Sequence, residues 1–103
     1  MEPTERLNEL REFGRMRWVG SANGWIAEPD EVVRALASDG FEECKREETR
    51  NPHREATGGV WQGLNNQTGA VASAVWVRAQ SRPPLVFIDI DGEPLSEGQA
   101  AGE

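Results

Sequence analysis

One cysteine and one histidine leave this chain little material for the commoner catalytic and metal centres. Cys44 alone cannot form a disulfide within the chain. His53 alone cannot supply the converging ligands of a zinc site, so neither a metal nor another cofactor is expected. The two could formally pair as nucleophile and base, but nothing in the sequence orients either group, and Cys44 reads as a small buried residue. Lysine is equally scarce: Lys45 is the single one among 11 basic residues. No apolar run approaches the roughly 20 residues that a membrane span requires, so no membrane contact is expected. The N-terminal MEPTERLNELREF is charged throughout and carries no secretory pattern, which makes a cytoplasmic location the expectation.

An excess of positive charge is also missing. The 103 residues carry 18 acidic against 11 basic side chains, a net charge of −7. Phosphate backbones attract clusters of Lys and Arg, so direct nucleic-acid binding is not expected. Arg11, Arg15, Arg17 and Trp18 do cluster, but Glu9 and Glu12 are interleaved with them and make the surface mixed in sign. An acidic surface suits a basic protein partner instead.

The charge that is present is unevenly spread. Residues 21–55 hold nine acids and five bases. Residues 56–77 hold no charge at all, and residues 83–103 hold five acids and no base. Glu42, Glu43, Glu47 and Glu48 crowd one segment; Asp89, Asp91, Glu93 and Glu97 crowd the end.

PTERLNELREFGRM predicts a helix, with Leu7, Leu10 and Phe13 at helical spacing and Gly14 weakening its end. RWVGSANGWIAEP predicts a small hairpin or a loop around Asn23-Gly24. EPDEVVRALASDGF predicts the clearest helix. Pro29 sits at its first position, Asp30 and Glu31 in its first turn, and Val32, Val33, Leu36 and Ala37 on one face. Gly40 can take the left-handed conformation beyond it and return Phe41 onto Leu36.

FEECKREE reads as a charged edge strand. Strands at about 58–64 and 70–78 flank the turn 65–69. Gly58-Gly59 leads into a strand and not a helix, so these glycines read as a bulge or a close backbone approach, not a phosphate loop. LVFIDID is the last strand, with Val86, Ile88 and Ile90 on one face and Phe87, Asp89 and Asp91 on the other. The order predicts an α+β domain over residues 1–95: two helices on one face of a three- to four-stranded antiparallel meander, followed by a loose acidic tail at 96–103.

Asp89-Ile90-Asp91-Gly92 after an apolar strand resembles the first motif of haloacid-dehalogenase-type phosphatases. The resemblance would imply a nucleophile at Asp89 and a general acid at Asp91. It covers residues 85–92 only; Glu93 stands where that family prefers Thr, and only residues 93–103 follow. An EF-hand loop places its glycine sixth, whereas Gly92 is fourth from Asp89. Turn chemistry explains the motif more simply: Asp bonds its own backbone and Gly accepts positive φ.

Three functions follow as expectations. The first is a small acidic binding protein, of the inhibitor or nucleic-acid-mimic kind familiar from phage anti-defence proteins. It would engage a basic partner through Glu42, Glu43, Glu47, Glu48, Asp89, Asp91 and Glu93. The second is a homo-oligomeric assembly or interaction subunit using the uncharged hairpin 56–77, with Trp61, Val71, Val75, Trp76 and Val77 at the interface. Strand 70–77 is apolar or small on both faces and needs cover on both, so a homodimer is expected unless the hairpin bearing Trp18 and Trp25 folds over the second face. The third is a small hydrolase using Asp89 and Asp91. No catalytic residue is assigned under the first two.

Overall fold

The computed structural model describes residues 5–50, 52, 53, 56–78 and 82–96. Helix α1 (Glu5–Glu12) is followed by strands β1 (Arg17–Val19) and β2 (Gly24–Ile26), then helix α2 (Pro29–Ser38). Five more strands follow among the described residues: β3 (Phe41–Arg50), β4 (Ala56–Asn65), β5 (Val71–Val77), β6 (Leu85–Ile90) and β7 (Glu93–Pro94). All pair antiparallel in one sheet of order β1-β2-β6-β5-β4-β3, with β7 on β6. The fold is α+β as expected, but among the described residues the sheet has seven strands and not three to four. Two of the additional strands are the hairpin β1–β2, whose apolar residues per strand are too few to show a period. Another is β7, a two-residue strand that only pairing defines.

α2 carries the chain from β2 across one face of the sheet to the far edge, and the meander β3–β6 returns it. Its first turn has Pro29 at the start, where a missing N–H costs nothing, and Asp30 and Glu31 against the positive helix end. Val32, Val33, Ala35 and Leu36 are buried; Ala37, expected on that face, is exposed. Gly40 takes φ +103° beyond the last turn, and Phe41 enters the same core as Leu36. α1 closes with a Schellman ending in which Gly14, at φ +75°, sits between the bonds Gly14 N–H to Arg11 O and Arg15 N–H to Leu10 O. Leu7 is buried while Phe13, one step past the helix, is 77% exposed. The N-terminal end of α1 is held by Asp39, 33 residues away, whose carboxylate accepts from Arg6 N–H at 2.9 and 3.1 Å.

The core lies between α2 and the strand residues that point to it. Trp25, Trp61, Trp76, Ala72, Ala74, Val86 and Ile88 are buried there. The two indoles of the hairpin fit because glycines lie beneath them. A Cβ at Gly59 would come within 2.4 Å of Trp76 Cζ2, and one at Gly63 within 2.4 Å of Trp61 Cη2. The expected close approach at Gly59 is therefore a ring laid on bare backbone. Trp25 donates its Nε1–H to Leu95 O at 3.0 Å and meets Trp18 edge-on, ring centres 5.2 Å apart. Asn65 is a buried polar residue of the core. Its Oδ1 accepts from Gln67 and Thr68 N–H in the β4–β5 turn, and its Nδ2 donates to Asp39 O, tying that turn to the end of α2.

Candidate functional site: the uncovered sheet face

The alternation that buries one side of each strand leaves the other to solvent. The register defines four rows across that second face. Thr49, Gly58, Val77, Leu85 and Ile26 form the first. Glu47, Val60, Val75 and Phe87 form the second; Lys45, Gln62, Ser73 and Asp89 the third; Glu42, Leu64 and Val71 the fourth. Inside Thr49 and Glu47 on the edge strand, the first two rows make a continuous apolar patch. The third is polar throughout, with opposite charges at its two ends.

Among the described residues, no helix lies on this side. Val71, Val75 and Val77 are 46%, 40% and 50% exposed, high values for Val in a central strand. Phe87 is seated rather than free: a Cβ at Gly24 would lie 2.8 Å from its ring, so the ring covers that glycine. The hairpin β1–β2, the expected alternative cover, does not fold over the face. It pairs edge-to-edge with β6 and widens the sheet.

The expected interface residues therefore divide. Val71, Val75 and Val77 lie on the open face. Trp61 and Trp76 point the other way and are 0% and 3% exposed, so they belong to the core and not to a surface. The physical reason is strand parity: adjacent residues point to opposite sides. Trp61 also satisfies its Nε1–H at home, on Glu43 Oε1 at 2.8 Å. The sequence reading missed Val60, Leu64 and Leu85. Alternation within each strand was legible, but not the pairing that sets these residues on the side of Val75.

The acidic residues do not form one cluster. A bulge at Cys44 shifts the register of β3 between Glu43 and Lys45. Glu42 and Glu47 consequently share the open side with Lys45, while Glu43 and Glu48 lie with Arg46 on the helix side. Glu42 accepts from Asn66 Nδ2 at 2.9 Å, and Glu48 pairs with Arg50 at 3.1 Å and Arg46 at 4.0 Å. Arg46 also reaches Asp30 on α2 at 3.0 Å. Cys44 is exposed on the bulge and not buried as expected, because the bulged residue has no position in the ladder facing the core.

Asp91 and Gly92 form the two-residue turn between β6 and β7, with φ +53° and +81°, the pattern of a type I′ hairpin. Asp91 Oδ1 accepts from Val71 N–H at 2.9 Å. Asp89 stands apart on the open face opposite Ser73, and Glu93 is exposed on β7. The two aspartates thus do different local work. His53 is exposed in a turn beyond β3. Among the described residues, no three His, Cys, Asp or Glu side chains are grouped as a metal site would need. None of the described helices is long and apolar enough to cross a membrane. The acidic tail expected from residue 96 lies, apart from Ser96, outside the described residues.

Burial raises the Asp39 carboxyl above its ordinary value, and the bonds from the Arg6 and Leu7 N–H groups oppose that shift. This carboxyl fastens α1 to the end of α2 and is remote from the open face in role.

Fold and face together define a two-layer α+β protein with an apolar sheet surface that no element among the described residues covers. Comparison with known protein families, characterised proteins and solved structures finds no match to the chain.

Proposed function

We propose that the protein acts by binding another polypeptide through the uncovered face of its sheet. The observation that carries this is the patch of Val60, Val75, Val77, Leu85 and Phe87, set in the middle of a sheet and covered by no other element among the described residues. Apolar surface in contact with water is unfavourable by ~25 cal/mol per Å², and contiguous exposed patches of this kind mark interaction surfaces. Glu47, Lys45 and Asp89 around it supply the polar rim that such interfaces carry.

An acidic surface gripping a basic site has less support. Its glutamates divide between two sides of β3, and several are engaged within the chain. A hydrolase at Asp89 and Asp91 has less still, since Asp91 is committed to the turn and to Val71 N–H.

Affinity purification with the wild-type chain, with Val75→Glu, and with Glu42→Lys/Glu47→Lys tests the choice. A bound protein lost with Val75→Glu and kept with the double reversal supports the sheet face. The opposite pattern returns the function to the acidic edge.

A further inference from the structure

We infer that the occupant of the uncovered face is a second copy of this chain, packed sheet to sheet about a two-fold axis that runs along the strands between β4 and β5. This rests on the sheet-face reading above and names its partner. The ground is the order of residues in the four rows. A two-fold axis along the strands preserves each row and reverses it from edge to edge. In the third row Lys45 then faces Asp89 of the partner subunit, and Gln62 faces Ser73 of the partner subunit. Opposite charges meet at both ends, with hydrogen-bonding groups between them.

The same operation sets apolar side chains on apolar side chains in the centre, while at the edges it sets Glu47 beside the partner's Phe87 and Thr49 beside the partner's Leu85. Val60 faces the partner's Val75, Leu64 faces the partner's Val71, and Gly58 leaves room for the partner's Val77, which is the most exposed valine of the strand. An axis across the strands does worse. Placed through the second row it sets Glu47 on the partner's Glu47 and Asp89 on the partner's Leu85, placed through the third row it sets Lys45 on the partner's Lys45, and placed between those rows it sets Val60 on the partner's Gln62. A row that is positive at one end, negative at the other and polar between is self-complementary in one orientation only.

The area is enough for a weak dimer. Strands β3–β6 span ~19 Å, and seven residues along them ~24 Å. That is about 450 Å² of flat surface per protomer, so about 900 Å² for the pair before side-chain relief, near the lower limit for a specific interface. Stacked sheets at ~10 Å leave the helices outside, giving layers in the order helix, sheet, sheet, helix. Each copy carries a net charge of −7, so the two repel at long range. Salt screens that repulsion and should strengthen the dimer, whereas it would weaken binding to a basic protein.

Sedimentation equilibrium of the full chain, from ~10 μM to ~1 mM, tests the proposal over the range expected of weak complexes. The mass should rise from 11.4 kDa toward twice that value, and rise further at higher salt. Val75→Glu, at a side chain already 40% exposed, should weaken association at least tenfold while far-UV circular dichroism is unchanged. Lys45→Glu should weaken it, and Lys45→Glu with Asp89→Lys should restore it, since both ends of the row then exchange sign. A monomer across the whole range overturns the second-copy proposal but not the sheet-face reading, which the purification experiment decides. A dimer that survives Val75→Glu overturns the face itself, and one that ignores the charge exchange overturns the orientation.

Discussion

Replacing Gly63 by alanine should lower folding stability by about 2–3 kcal/mol, although the change adds one methyl group. A Cβ there would lie 2.4 Å from Trp61 Cη2 and 3.0 Å from two neighbouring ring atoms, against 3.4 Å for ordinary contact. Relief needs the indole to move by about 1 Å at its tip. Trp61 is 0% exposed, and its Nε1–H is held by Glu43 at 2.8 Å, so the ring has no free direction. Overpacking a closed core costs ~1–3 kcal/mol, and loss of one side-chain hydrogen bond ~1 kcal/mol. Alanine recovers ~0.4–1 kcal/mol by restricting the unfolded chain. Gly63 is not among the glycines of positive φ, so no backbone strain adds to the sum. Urea denaturation at constant slope reads the difference. In a Trp61→Phe background the smaller ring vacates the tip position, and the same alanine should cost less than ~1 kcal/mol. If Gly63→Ala costs under ~0.5 kcal/mol, or costs the same in both backgrounds, close packing of indole on backbone is not why glycine stands there.

Gly92→Ala places a Cβ at φ +81° in the β6–β7 turn and should cost ~1–2 kcal/mol, seen as a fall in Tm of several degrees by calorimetry. Asp39→Ala removes the oxygen that receives Arg6 N–H and should cost ~1 kcal/mol; little or no loss by urea denaturation would show that α1 is held by packing alone. The Asp39 carboxyl is raised by burial, so its contribution favours the fold below the ordinary carboxylate range and is lost as pH rises through the raised value. The stability of wild type minus that of Asp39→Asn should therefore fall as pH rises through that window, and a rising difference would reverse the assignment. Cys44 is exposed on its bulge, so one thiol should react with a disulfide reagent in the native protein as fast as in urea; protection would mean the edge is covered.

Much of the local structure was legible from the sequence alone, because it depends on chemistry within a few residues. Pro29, Asp30 and Glu31 announced the start of α2, and Gly40 its end. Asp91-Gly92 announced a turn, since Gly accepts positive φ at no steric cost and Asp tolerates it. The alternation in residues 71–77 and 85–90 separated the two faces of β5 and β6 correctly, because side chains in a strand point to opposite sides in turn. The expected interface nonetheless set Trp76 beside Val75, which that same parity forbids, and only the fold told which side was buried.

Pairing between distant segments decided the rest. Residues 17–26 could equally have folded over the sheet or joined its edge, since both bury Trp25; bonding to β6 settled it and left the face open. The glutamates of β3 are adjacent in sequence, so alternation alone divides each pair, but the bulged residue decides that Glu42 sides with Glu47 and Glu43 with Glu48, because a register shift exchanges sides while leaving composition untouched. Val60, Val75 and Phe87 lie 15 and 12 residues apart along the chain and become one surface only through the ladder. Hydrogen-bond register is a property of two segments at once, so no segment read alone contains it.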